Sequence, residues 1–220
     1  MKEFLGILRK SRLFSGVGED EIESMLGCLD AKKAKYAKGE YVYRSGEHVK
    51  YVMILAEGKL HVQNEDYWGN RSIINYVGRG DMFGEAYASP DHNIMLNDVV
   101  AVENSTVLFF DVDRILSVCP TGCKFHSTVM RNLFYVMSEK NRLLVTKLGY
   151  VSQRTTRGKL LSYLSDEAKK QGRGDITIPF NRQQLADFLG VDRSAMSNEL
   201  CKMRHEGIIE FDKNRFTLKL

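Results

Sequence analysis

The chain has 220 residues and a mass of 25.1 kDa, with 43% hydrophobic residues, 27% charged residues and only 3 prolines, a composition that excludes a disordered or low-complexity protein. It leaves room for one large domain or two ordinary ones, and the formal charge of +4 is unevenly placed: residues 1–150 hold 19 basic and 19 acidic side chains, residues 151–220 hold 13 and 9. The whole excess sits in the last third, which favours a nucleic-acid partner there.

The apolar stretch from Phe4 to Leu8 is too short for a secretory signal and no later run approaches a membrane span. The four cysteines, at 28, 119, 123 and 201, show no repeated spacing. The expectation is a cytoplasmic protein with reduced thiols and no membrane partner.

Taken in chain order, Ile22, Met25, Leu26 and Leu29 follow the acidic turn Glu19-Asp20-Glu21 at the spacing of an amphipathic helix. From about Ala34 to Asp111 short apolar or alternating runs appear at 41–43, 51–56, 60–62, 73–77, 99–102 and 107–110. Glycines at 39, 46, 58, 69, 78, 80 and 84 lie between or beside them, which predicts an antiparallel β-roll of jelly-roll type. After Pro120, Met130, Phe134, Met137, Asn141, Leu144, Leu148 and Val151 recur at spacings of 4 and 3 over three heptads. Such a seam asks for a partner helix, and a single polar Asn within it sets a parallel two-stranded register, so a homodimer is expected. The alternative is a long helix packed on its own domain, which ordinarily buries a wider stripe.

Leu160, Leu161 and Leu164 begin a further helix ending near Gly172, followed by a short β segment at 176–179. Residues 181–200 then read as helix, tight turn, helix. Asn181 and Asp192 are N-cap types, Ala186 and Gly190 allow a close crossing and a turn, and Leu185, Leu189, Val191, Met196 and Leu200 supply apolar contacts. Residues 208–211 and 215–220 around the turn 212–214 predict a two-stranded wing. The fold class is α+β: an N-terminal antiparallel β-roll, a long dimerisation helix and a C-terminal winged helix-turn-helix.

Three segments carry a family resemblance: Leu55-Ala-Glu-Gly-Lys-Leu60, Gly80-Asp-Met-Phe-Gly-Glu85, and Asn181 to Ile209 with its Leu-Ala-Asp-Phe-Leu-Gly and Met-Arg-His-Glu-Gly-Ile-Ile. In this order the chain resembles the cyclic-AMP receptor protein/FNR superfamily of bacterial transcription regulators over nearly its whole length. The resemblance implies an effector-sensing roll (1–118), a dimerisation helix (119–151) and a DNA-binding domain (152–220). It also implies an effector signal relayed through the helix to the orientation of the DNA-binding domains.

The departures from the family pattern are equally informative. Cyclic-nucleotide-binding members follow a Gly-Glu such as Gly84-Glu85 with Arg and a hydroxyl residue about ten positions later, but between Glu85 and Asp113 this chain has no Lys or Arg. A buried phosphodiester would lack a charge-assisted partner there. Cyclic AMP is therefore not the expected effector. The N-terminal cysteine cluster of the iron-sulfur members is missing, and no second ligand accompanies His92, so no metal or cofactor is expected. Cys119 and Cys123 form a C-x-x-x-C pair for which a redox switch and plain packing are both open. The remaining effector pocket comprises Gly84, Glu85, Tyr87, His92 and Met95, with Phe134 and Met137 approaching from the long helix. It suits a neutral, apolar or cationic ligand.

In the DNA-binding domain the motif places Arg193, Ser194 and Asn198 against base edges, with Ala195 and Met196 turned inward. Arg182, Lys202, Lys213 and Arg215 are placed on the phosphates. Family members commonly have Glu at the position of Ser194 and Arg at that of Asn198, which implies an altered half-site. Glu199 receives no role. The expected partner is a two-fold symmetric duplex site, together with RNA polymerase if the protein activates. The same scaffold working without a small ligand, switched by thiol oxidation or constitutively active, is one alternative. A cupin-like metalloenzyme is the remote one, because His48, His61, His92, His126 and His205 are scattered. No catalytic residue is expected.

Overall fold

The computed structural model describes all residues except 66, 69, 70, 88–92, 118–124 and 220. It divides into two units, Met1–Glu139 and Lys140–Leu220.

The first unit opens with α1 (Leu5–Lys10) and α2 (Glu19–Met25), followed by eight strands: β1 (Lys32–Tyr36), β2 (Tyr41–Tyr43), β3 (Tyr51–Glu57), β4 (Leu60–Glu65), β5 (Arg71–Val77), β6 (Met82–Phe83), β7 (Asp98–Ala101) and β8 (Ser105–Asp111). These form two antiparallel four-stranded sheets, in the orders β1-β8-β3-β6 and β2-β7-β4-β5. The roll and its glycine punctuation were legible in the sequence; β1 and the two-residue β6 were not. The Lys-Lys-Ala-Lys-Tyr of β1 has no apolar run because it is an edge strand whose lysines face solvent, a composition that protects an open edge.

Why β3 is apolar without interruption from Val52 to Ala56 follows from its position. Met53 and Leu55 point into the core between the two sheets with Val107 and Phe109 of β8. Val52, Ile54 and Ala56 point the other way with Leu108 and Phe110, into a second core closed by Leu8, Leu13, Phe14, Ile22 and Met25. A strand covered on both faces loses its polar alternation. At the β3–β4 turn Gly58 has φ +89°, and a Cβ there would fall against the Asn104 carbonyl oxygen and Ser105, so both conformation and space demand glycine.

The unit closes with α3 (Val112–Leu116) and α4 (His126–Val151), a helix of 26 residues that begins in the first unit and ends in the second. Val129, Leu133 and Val136 of α4 belong to the second core, and the buried Asn132 Nδ2 donates to the carbonyls of Leu13 (3.0 Å) and Ser15 (2.8 Å). Arg12 adds an ion pair to Glu139. A buried amide with two matched acceptors ties α4 to the segment after α1. Asn132→Ala leaves both carbonyls without this donor and is expected to destabilise the roll by about 1–3 kcal/mol, as read by urea unfolding.

In the second unit α5 (Thr156–Gln171) is capped by the Thr155 hydroxyl and ends at Gly172 with φ +66°. The remaining elements are β9 (Asp175–Thr177), α6 (Arg182–Leu189), α7 (Arg193–His205), β10 (Ile209–Asp212) and β11 (Arg215–Leu218). The wing differs from expectation: β9 pairs with β11, giving a three-stranded sheet in the order β10-β11-β9 rather than a two-stranded hairpin. A three-residue strand carries too little pattern for its pairing partner to be read from sequence. Leu160, Leu164, Leu185, Leu189, Met196, Leu200, Ile209 and Phe216 lie in the one core of this unit.

Candidate functional site

The helix-turn-helix is built by local chemistry. Asn181 and Gln184 cap α6 reciprocally, each side chain accepting from the other's backbone N–H at 2.9 Å. Gly190 ends the helix at φ +61°, and the Val191 amide donates back to the Ala186 carbonyl at 3.0 Å. Asp192 then caps α7, accepting from the Ala195 amide at 2.8 Å. Met196, Leu200 and Met203 bury one stripe of α7. The opposite stripe, Ser194, Asn198, Cys201 and His205, is exposed, as is Arg193 at the first turn. Ala195 is exposed as well, contrary to the expectation that it turns inward. It lies about 100° around the helix from Met196, off the buried stripe.

Lys202, Lys213 and Arg215 are exposed, with Lys213 in the turn between β10 and β11 at φ +50°. Arg182 is different. Its guanidinium is half-buried over the rings of Phe211 (4.8 Å) and Phe216 (5.0 Å), and Arg204 lies over Phe211 from α7 at 4.9 Å. Burial lowers the Arg182 pKa, yet an arginine so placed stays cationic, and the two cation–π contacts join the first turn of α6 to the wing.

Glu199, which the sequence left without a role, receives the Arg157 guanidinium. No short motif signals this pairing, because the partners are 42 residues apart.

In the roll, Gly84 turns the chain at φ +82°, and a Cβ there would strike the Met53 methyl. Glu85 follows and is buried. The Tyr87 amide donates to the Gly84 carbonyl at 3.1 Å, and its hydroxyl accepts from Asn97 Nδ2 at 3.5 Å. Met95 belongs to the core between the sheets, against which Tyr87 packs. Gly84, Glu85 and Tyr87 thus lie in one turn of the chain, and Tyr87 and Met95 meet the same inter-sheet core. Phe134 and Met137 stand apart from that core, 66% and 41% exposed on α4. His92, Cys119 and Cys123 lie outside the described residues. Among the described residues, no three His, Cys, Asp or Glu side chains converge as a metal site.

The seam of α4 lies on the face turned away from its own core. Phe134, Leu144 and Leu148 are each more than 60% exposed, and Asn141 between them is exposed too. Met130 and Val151, at the two ends, are half-buried. The helix thus carries a face for its own unit (Val129, Asn132, Leu133, Val136) and a second apolar face left in solvent.

Residues 33–121 match the cyclic nucleotide-binding domain family, and residues 158–219 match the Crp-like helix-turn-helix domain family. The chain is 25% identical to the probable transcriptional regulator flp of Lacticaseibacillus casei, over 87% of this chain and 84% of that protein. It is 22% identical to the cyclic AMP receptor protein of Thermus thermophilus, over 92% and 89%. In three dimensions it superposes on OCPA-complexed CprK with a TM-score of 0.64 at 19% identity, covering 89% of this chain and 91% of the other. The chain belongs to the CRP/FNR family.

Within that family it is a transcriptional regulator with a helix-turn-helix, and the β-roll and C-terminal domain correspond to the two matched domain families. No described helix is long and apolar enough to cross a membrane.

Proposed function

We propose that this CRP/FNR regulator works as a homodimer that reads a two-fold symmetric DNA site through Arg193, Ser194 and Asn198, under the control of a small effector other than cyclic AMP. It acts by binding rather than by catalysis, in the cytoplasm, and touches RNA polymerase where it activates. The observation that carries the DNA reading is the exposed stripe of α7, in which Ser194 and Asn198 stand one turn apart opposite the buried Met196 and Leu200. Arg193 offers a bidentate donor pair to guanine and Asn198 a donor–acceptor pair to adenine. Lys202, Lys213 and Arg215 contact phosphates, and Arg182 is spent chiefly on holding the wing.

The effector reading rests on charge. Glu85 is 8% exposed in the turn after Gly84, and no Lys or Arg occurs from 86 to 112. The segment that follows Glu85 therefore offers a phosphodiester no charge-assisted partner, and an anion buried without one is strongly disfavoured. A neutral or cationic ligand meets no such penalty.

Selection from random duplex DNA by the purified full chain, with no ligand added, tests this function. Enrichment of an inverted repeat with half-sites about 10–10.5 base pairs apart is the expected result. In parallel, saturating cyclic AMP is expected to leave the melting temperature unchanged, because a ligand that binds only the folded state would raise it. Enrichment of an asymmetric site, or a rise in melting temperature with cyclic AMP, overturns the corresponding part.

A further inference from the structure

Two carboxylates, Glu199 within α7 and Glu206 at its C-cap, stand seven residues apart and so on one side of the helix. Both are taken by one guanidinium. Arg157, in the first turn of α5, donates from Nε to Glu199 Oε1 at 2.5 Å and from its two terminal nitrogens to Glu206 at 2.8 Å and 2.7 Å. All three nitrogens of the fork are used, the last two in the parallel bidentate geometry that only arginine provides. The Arg157 side chain is 35% exposed and that of Glu199 19%, so this arm of the contact is partly withdrawn from water, whereas Glu206, at 45%, holds the bidentate arm at the surface. The Glu206 carboxyl is accordingly held below its ordinary pKa by the Arg157 hydrogen bonds.

The geometry points to Arg157 as a positioning residue for DNA recognition, which sets the rotation of α7 about its axis and keeps the Glu199 carboxylate away from the nucleic acid. It touches no base itself. The inference rests on the reading of α7 as the helix that enters the major groove. The buried Met196, Leu200 and Met203 already settle which side chains form the outward stripe; a smaller turn of α7 about its axis would draw Glu199 and Glu206 off the fork, so the clamp holds the fine rotation of that stripe. A free carboxylate on that helix would face the phosphates with like charge, and Arg157 neutralises it before DNA arrives. The packing of Met196, Leu200 and Met203 holds α7 in the domain through apolar contacts alone. The fork adds directional, charge-assisted bonds.

The test compares dissociation constants of the full chain for its selected site and for a scrambled duplex of equal length. The proteins are the wild type, Arg157→Ala, Arg157→Lys, Glu206→Gln and the double variant Arg157→Ala with Glu199→Gln. Arg157→Ala is expected to reduce the ratio of specific to non-specific affinity at least about tenfold. Arg157→Lys, which cannot form the bidentate fork, should reproduce most of that loss, and the double variant should recover overall affinity by removing the unmasked charge. A purely structural role would lower the melting temperature without selective loss at the specific site and without rescue by Glu199→Gln. An unchanged ratio in folded Arg157→Ala overturns the inference; should that variant fail to fold, unchanged ratios in both Arg157→Lys and Glu206→Gln do so. A wild type that cannot tell the selected site from the scrambled one instead overturns the underlying reading of α7.

Discussion

Leu144→Lys is expected to leave a folded monomer whose affinity for a two-half-site operator is about 100- to 10,000-fold below that of the wild type. Leu144 is 66% exposed in the single chain, so its replacement touches no intrachain core and should change monomer stability by only about 0.5 kcal/mol. In a paired helix the same residue is a knob of the seam formed with Phe134, Met137, Leu148 and their neighbours, and a lysine there is desolvated against an apolar partner. Losing the pairing turns two linked half-site contacts into independent ones, and the avidity factor of about 10²–10⁴ is forfeited. Light scattering gives the mass and a titration with labelled operator gives the affinity. A dimer that survives both Leu144→Lys and Leu148→Lys would show that α4 is not the pairing surface.

Arg193→Ala and Asn198→Ala together form the second large effect. Each is expected to cost about 1–3 kcal/mol at the selected site, roughly 5- to 150-fold, and to relax preference at one base pair per half-site. Affinity for scrambled DNA should scarcely change. Lys213→Ala is the contrast: binding to all sequences weakens and the slope of log K against log salt falls by about 0.9. Measuring each variant against the selected site, a set of single-base variants and a scrambled duplex at several salt concentrations separates the two patterns. If Arg193→Ala and Asn198→Ala retained both affinity and base preference at physiological salt, α7 would not lie in the groove as placed here.

The two readings depend on each other through symmetry. A single α7 reads too few base pairs to single out one site, whereas two copies related by a dyad double the contacts and impose a fixed spacing. On the proposed function, the exposed apolar face of α4 and the exposed polar stripe of α7 serve one recognition event.

Local periodicity and end signals were enough to read much of this protein from its residues. The strand runs between glycines, the 4-3 spacing of the long helix, and the Asn181, Gly190 and Asp192 punctuation are short-range patterns, and each became the expected element with bounds shifted by a few residues. The stripe of Ser194 and Asn198 belongs to the same class, because capping sets where α7 starts and the period of 3.6 does the rest. The Ala195 error arose within that logic, from taking a flank position as buried.

What the tertiary structure decided lies between residues far apart in the chain. The pairing of β9 with β11, the stacking of Arg182 on Phe211 and Phe216, the capture of Glu199 by Arg157 across 42 residues, and the hold of Asn132 on Leu13 and Ser15 leave no periodic trace. Each is a directional contact of one or two side chains whose partner is chosen by packing, so composition and spacing cannot name it. Sequence determined which elements form and which faces are apolar, because those depend on neighbours within a turn or two. Only the fold decided which charged and polar side chains are taken up by distant partners, as Arg182, Glu199 and Asn132 are, because that depends on what the folded chain brings against them.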